Sequence, residues 1–282
     1  MIDAGTKICC VIGDPVEHSL SPLIHNSAYR ALGLNFAYVA FRVKDIGKAI
    51  DGIRGLGIRG ASVTIPHKIT AMKYLDALDD AAKEIGAINT IVNNDGVLKG
   101  YNTDYAAAMK ALEEKIAIKG KKAVLVGAGG VGLPIAVGLK RKGAELVILD
   151  IVEDLAKNLA KRVGADGFGG SDNLSAIASA DILVNATPVG MWPRTDESIV
   201  PKELLHPRLT VFDVVYNPRE TKLLKEAKAA GCAVVYGYRM FLLQAAEQFE
   251  LFTGHEAPLH EMEKVLVKAL EGEGHATSVD RR

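Results

Sequence analysis

Three cysteines, one tryptophan and no excess of either charge in 282 residues close off several classes of protein at once. Cys9, Cys10 and Cys232 are too few and wrongly spaced for a disulfide scaffold or a zinc knot. The adjacent pair lies in an apolar run, which points to buried, inert thiols in a reducing compartment. Lys and Arg number 34 and so do Asp and Glu, so nothing draws the chain to nucleic acid or to a membrane surface. No run of 18 apolar residues occurs, and no basic segment leads into an apolar one at the N-terminus, so a cytoplasmic chain is expected. His18, His25 and His67 have no metal-ligand spacing, and no metal is expected. What remains is an ordinary globular composition, 49% hydrophobic and 24% charged, long enough for two domains.

The most informative stretch is Lys121–Gly132. A short apolar run, Ala123–Val126, ends in Gly127-Ala128-Gly129-Gly130-Val131-Gly132. A segment with Val131, Ile135 and Leu139 on one side then runs to Arg141. Strand, tight turn and helix in that order suit a dinucleotide. Glycines let the backbone turn and approach a pyrophosphate, and the helix N-terminus favours its charge. A bare structural turn is the plain alternative.

The residues ahead of it alternate strand and helix. Ile8–Ile12 reads as a strand ending at Gly13-Asp14-Pro15. Ser21 as cap and Pro22 as first helical residue open a helix to Leu32. Phe36–Phe41 is a second strand, Asp45–Leu56 a helix, and Gly60–Ile65 a strand running into Pro66. Short helices follow over 69–75 and 79–85. Asn94-Asp95-Gly96 marks a hairpin turn, placed at one edge of a largely parallel sheet, and a helix covers Ala106–Leu112.

Suggestive polar residues gather where these strands end, which is where open α/β sheets bind ligands. Each also has a plain structural use. Ser19 and Ser21 serve as caps, the histidines pack or face solvent, Lys68 is one more surface lysine, and Asp104 favours a helix dipole. Lys68 and Asp104 stand out because they bring an ammonium and a carboxylate from two strand ends. A paired ammonium stays charged and can share its proton with a reacting oxygen.

Beyond the glycine-rich turn, Glu145–Leu149 is a strand ending at Asp150, 23 residues after Gly127. A carboxylate there accepts hydrogen bonds from both adenosine ribose hydroxyls and repels a 2′-phosphate. Ile151 and Val152 offer no positive charge, and Lys161 and Arg162 come too late, so NAD is expected. Strands Ile182–Val184, Thr210–Val215 and Ala233–Tyr236, with a helix over Glu220–Ala230, complete an α/β unit over residues 106–236. Buried on both faces, its strands are rich in β-branched residues. Helices Met240–Phe252 and onward to Leu270 then cross back to pack on the first domain, with Gln244 pointing into the cleft. The domains are thus 1–105 plus 237–271 and 106–236, with 272–282 a frayed tail.

Together these motifs resemble the shikimate dehydrogenase family over roughly residues 5–270. The matching segments are Ser19-Leu20-Ser21-Pro22, Val63–Lys68, Gly86–Thr90, Asn102-Thr103-Asp104, Gly127–Gly130, Asn185–Met191 and Tyr216-Asn217-Pro218. The stretch from Gln244 to Gly254 is similar to the dehydrogenase half of the plant bifunctional dehydroquinate dehydratase–shikimate dehydrogenase. The resemblance implies reversible reduction of 3-dehydroshikimate to shikimate in aromatic amino acid biosynthesis, with Lys68 and Asp104 as the catalytic pair. It implies Ser19, Ser21, Ser62, Thr64, Asn89, Thr103, Tyr216 and Gln244 around the substrate. For the cofactor it implies Gly127, Ala128, Gly129, Gly130, Val131, Asp150, Thr187, Pro188, Val214 and Gly237. Hydroxyl and amide groups suit a substrate with one carboxylate and three hydroxyls, and such a site rejects analogues that leave them unpaired.

Two departures from the family pattern matter. Ser62 stands where asparagine is usual, although plant-like members also carry serine. Asp150-Ile151-Val152 replaces an Asn-Arg-Thr whose arginine holds the 2′-phosphate of NADP(H), the usual cofactor of the family. That change resembles NAD-using quinate/shikimate dehydrogenases, so quinate oxidation is the second reading. Retention of Ser19 and Ser21 keeps the pocket small and favours shikimate. A non-catalytic sensor of NAD or small acids is the third, and it requires the loss of Lys68 or Asp104. A monomer or a homodimer is expected.

Overall fold

The computed structural model describes residues 2–271; the expected frayed tail over 272–282 lies outside them. The first half contains β1 (Lys7–Gly13), α1 (Ser21–Ala31), β2 (Phe36–Arg42), α2 (Ile46–Gly55), β3 (Gly60–Val63), β4 (Ala77–Leu78), α3 (Asp80–Ile85), β5 (Thr90–Asn94), β6 (Val97–Tyr101) and α4 (Thr103–Glu113). The second contains β7 (Lys122–Val126), α5 (Gly132–Arg141), β8 (Glu145–Asp150), α6 (Glu153–Val163), β9 (Gly167–Gly170), β10 (Ile182–Asn185), β11 (Thr210–Asp213), α7 (Lys222–Ala229) and β12 (Ala233–Tyr236). Two helices close the chain, α8 (Gly237–Thr253) and α9 (Leu259–Glu271).

These strands make two six-stranded sheets, ordered β2-β1-β3-β5-β6-β4 and β12-β11-β10-β7-β8-β9. Every pairing in the second is parallel. The chain steps outward from β7 to β9, then returns to β10 beside β7 and steps outward the other way. That reversal opens a crevice at the strand C-termini between β7 and β10. The first sheet is mixed, with β5 antiparallel to β3 and β6.

Several expectations need correction. The hairpin β5–β6 lies inside the first sheet, because the two-residue β4 pairs with β6 and takes the edge. Residues Thr70–Tyr74 form a 3₁₀ turn rather than an α-helix. Ser21 is the first helical residue of α1 and caps nothing; Ser19 Oγ accepts its backbone N–H at 3.3 Å. Helix α4 starts three residues earlier than expected because the Asn102 side chain accepts the Tyr105 N–H. Likewise Thr221 caps α7, so that helix starts after Glu220 rather than at it. β9 goes unread in the sequence because three of its four residues are glycine, a loop composition.

Helix α8 packs along α4 and against α1 and β5, and α9 packs on α1, as the sequence led one to expect. Phe249 and Phe252 of α8 are fully buried beside Tyr29 and Tyr38. Each such ring, taken out of water, contributes roughly 2–3 kcal/mol. One further apolar cluster joins the two halves, bringing Ile85 and Ala87 together with Met109 and Leu112 of α4, Ile135 and Leu139 of α5, and Leu243 of α8. Cys9 and Cys10 lie on β1 with no exposure, and burial pushes the Cys9 thiol up to about 12. His25 and His67 are likewise packed rather than free, and burial pushes His25 down to about 3.

Candidate active site

A cavity of about 270 Å³ opens between the two halves, where the C-terminal ends of both sheets face each other. From the first sheet it takes Ser19 and Ser21 after β1, Ser62 and Thr64 at the end of β3, and Lys68 beyond them. Asn89 reaches it from the start of β5, because that strand runs antiparallel to its neighbour, and Asp104 from the first turn of α4. Val131, Val214 and Tyr216 come from the second half, and Gly237 and Gln244 from α8. Lys68, Asp104 and most of the expected substrate residues therefore line one cavity with three residues of the dinucleotide side. Thr103 does not line the cavity. It is fully buried, and its hydroxyl accepts from Asn89 Nδ2 and donates to the Gln244 carbonyl.

At the base of the cavity Lys68 Nζ donates to Asp104 Oδ2 at 2.5 Å. The two side chains are 12% and 8% exposed, so water scarcely screens the pair. Desolvation of such a pair is repaid only where further hydrogen bonds complete it. Here Asn89 Nδ2 donates to the other oxygen, Asp104 Oδ1, at 2.9 Å, and the N-terminus of α4 adds its positive end. The ammonium keeps two more protons that can turn to a ligand oxygen.

Three other groups are arranged less simply. Ser62 Oγ accepts from Tyr38 O–H at 2.6 Å and donates to Gln248 Oε1 at 2.7 Å, so its proton is committed inside the protein. Tyr216 stacks on Phe241 at 4.7 Å, and burial raises its phenol pKa, keeping the hydroxyl neutral. Gln244 donates to the Phe241 carbonyl, which leaves its side-chain oxygen to accept from the cavity.

The remaining expected cofactor residues stand on the C-terminal ends of neighbouring parallel strands. Gly127 follows β7 at φ +106°, and a Cβ there would meet the Ala186 carbonyl at 2.8 Å. Over Gly129 and Gly130 there is open space instead, a cradle that any side chain would fill. The Asp150 carboxylate at the end of β8 accepts the Ala128 N–H at 2.7 Å and the Val152 N–H at 2.9 Å. It therefore shapes the glycine turn as well as standing beside it. After β10, Thr187 N–H and Oγ1 both donate to Asn185 Oδ1, which fixes the turn into Pro188. A tight turn, an empty cradle and a carboxylate at the second strand end are what an adenosine diphosphate moiety requires. The residues present fit a nicotinamide dinucleotide.

Several residues of this region carry little signal of their role in the sequence. His18, Met240, Phe241 and Gln248 line the cavity, and Tyr38 and Thr90 stand directly behind it. Gln248 follows Gln244 by four residues on α8, a helical spacing that places both on one face. Asp213, wholly buried at the end of β11, accepts from Asn185 Nδ2, Val215 N–H and Thr221 Oγ1. Its burial outweighs those donors and pushes it up to about 6. Among the described residues, no group of three or more His, Cys, Asp or Glu could hold a metal ion, and no helix is long and apolar enough to cross a membrane.

The chain is similar in sequence and fold to known proteins. A model of the shikimate dehydrogenase substrate-binding domain matches residues 11–91, and one of the shikimate 5′-dehydrogenase C-terminal domain matches 237–267. A shikimate dehydrogenase (NADP(+)) of Methanobrevibacter smithii is 47% identical, covering 96% of this chain and all of its own length. A shikimate dehydrogenase solved in complex with NADP+ superposes with a TM-score of 0.91 at 42% identity, covering 96% of this chain and 98% of its own. The Listeria monocytogenes shikimate 5-dehydrogenase, solved with shikimate and NAD, does so with a TM-score of 0.87 at 36% identity, covering 94% and 98%. The chain belongs to the shikimate dehydrogenase family.

Proposed function

We propose that this chain reversibly reduces 3-dehydroshikimate to shikimate, with residues 1–105 and 237–271 holding the substrate and 106–236 the cofactor. The observation that carries this reading is the Lys68–Asp104 pair, buried in a cavity that both halves line. The bound nicotinamide supplies or accepts the hydride at its C4. Lys68 holds the substrate oxygen at the reacting carbon and gives it a proton during reduction. Asp104 pairs with that ammonium and aims it, so the developing alkoxide meets a donor already in place. Ser19, Ser21 and Thr64 bind the carboxylate end, Tyr216 and Gln244 surround the ring hydroxyls, and Asn89 holds Asp104 from behind. Ser62 can only accept from a ligand hydroxyl, since its proton is given to Gln248.

NAD(H) is the cofactor in this reading. Asp150, at the end of β8, would accept from an adenosine ribose, and Ile151, 88% exposed, brings no cation for a 2′-phosphate. The same feature favours a second reading, an NAD-dependent quinate/shikimate dehydrogenase working in the oxidative direction. Initial rates with shikimate and with quinate, each with NAD and NADP, separate the two. Faster oxidation of shikimate than quinate supports the first, and a preference for quinate overturns it. The three buried thiols fit a reducing, cytoplasmic setting.

A further inference from the structure

An asparagine side chain has two N–H donors and two acceptor lone pairs, and in Asn89 all four are taken inside the protein. Oδ1 accepts from the Thr103 N–H at 2.9 Å and from Thr90 Oγ1 at 2.8 Å. Nδ2 donates to Thr103 Oγ1 and to Asp104 Oδ1, both at 2.9 Å. A flipped amide would turn its oxygen on the Asp104 carboxylate and an N–H group on the Thr103 N–H. The orientation of Asn89, and with it one of the two oxygens of Asp104, is therefore set by what lies behind.

What lies behind is a chain of hydrogen bonds in which every proton has one direction. Tyr38 donates to Ser62, and Ser62 donates to Gln248 Oε1, so the Gln248 amide must turn its nitrogen the other way. That nitrogen donates to Thr90 Oγ1 at 2.9 Å and to the Asn89 carbonyl at 3.2 Å. The Thr90 hydroxyl, accepting from Gln248, gives its own proton to Asn89 Oδ1. Thr90 is 0% exposed and Gln248 1%, so no solvent can replace either group.

We propose that Thr90 and Gln248 are positioning residues: they lock the Asn89 amide in the orientation that holds Asp104, and through it Lys68, in the reacting geometry. This rests on the dehydrogenase reading above. It assigns the Thr90 hydroxyl, which does not line the cavity, a role in turnover and not in substrate affinity, because the lock acts on the pair that meets developing charge.

The test is steady-state shikimate oxidation by the full chain and by Thr90→Val and Thr90→Ser, with thermal melting to check folding. Thr90→Val keeps the shape and removes the hydroxyl. The expected result is kcat about ten-fold lower with the shikimate KM within about two-fold, and Thr90→Ser within about three-fold of the parent kcat. Gln248→Leu added to Thr90→Val should then lower kcat by less than the two losses multiplied, since both act along one chain. Should Thr90→Val not fold, Thr90→Cys, of similar size and a weak donor, takes its place against Thr90→Ser. An unchanged kcat, a loss of equal size in the serine variant, or a loss confined to KM overturns the proposal. A parent chain that does not oxidise shikimate overturns the functional reading and this inference with it; an active parent with indifferent variants overturns the inference alone.

Discussion

Lys68 and Asp104 are 36 residues apart in the chain and 2.5 Å apart in space. One arrives on the turn that follows β3, the other on the first turn of α4, and each is held by backbone that has its own reasons to be there. The ammonium is thereby paired and nearly dry, a setting in which it meets charge on a substrate oxygen far more strongly than a solvated lysine could.

Removing that ammonium should be costly to the reaction and cheap to the fold. Lys68→Ala is expected to lower kcat by roughly 10²–10⁴, the range of a positioned acid–base group. Circular dichroism should remain that of the parent. A rate near that of the parent chain would take Lys68 out of the chemistry.

The cofactor preference should follow the charge at the end of β8. NAD is expected to exceed NADP in kcat/KM by at least about ten-fold, a difference of about 1.4 kcal/mol. The double substitution Asp150→Asn, Ile151→Arg should reverse the preference, since it removes the repulsion and adds a partner for the 2′-phosphate. A parent chain that prefers NADP would overturn the role given to Asp150.

Two glycines of the same turn should fail in different ways. Gly127→Ala must adopt a positive φ and press on the Ala186 carbonyl, so it should lower the melting temperature as well as cofactor affinity. Gly129→Ala meets nothing in the protein, so it should melt like the parent while raising the NAD KM about ten-fold, as the new methyl occupies the pyrophosphate cradle. Equal cofactor affinity in Gly129→Ala and the parent would show that the cradle lies elsewhere.

Stability should respond to pH at Glu247 of α8, whose carboxyl is pushed up to about 7, first by burial and then by the charges of Glu250 and Asp79. A carboxyl raised in the folded state contributes its stability at low pH and loses it as pH rises through the folded value. Glu247→Gln removes that ionisation. Its melting temperature relative to the parent should therefore climb between about pH 5 and pH 8. A difference that stays flat over this range would show that Glu247 is not held protonated.

Local patterns alone determined a good deal of this protein. Apolar runs broken by glycine and proline mark most strands, and period-3.6 stripes mark α2, α5 and α8. The order strand, glycine turn, helix at Ala123–Arg141 identifies the dinucleotide half, because each of these features depends on neighbours within a few residues. Other features were not legible there. β4 and β9 are too short or too rich in glycine to carry a pattern and exist only because β6 and β8 offer them an edge. The α4 boundary moved because Asn102 found a backbone donor. Most of all, tertiary structure decided which polar residues touch a ligand and which hold one another. Ser62 and Asn89 read as ligand contacts in the chain, yet Tyr38 of β2 and Gln248 of α8 engage the Ser62 hydroxyl, and Thr90, Thr103 and Asp104 take up the Asn89 amide. A hydrogen bond needs about 3 Å and a direction, and residues distant in sequence acquire both only when the sheets and helices have packed.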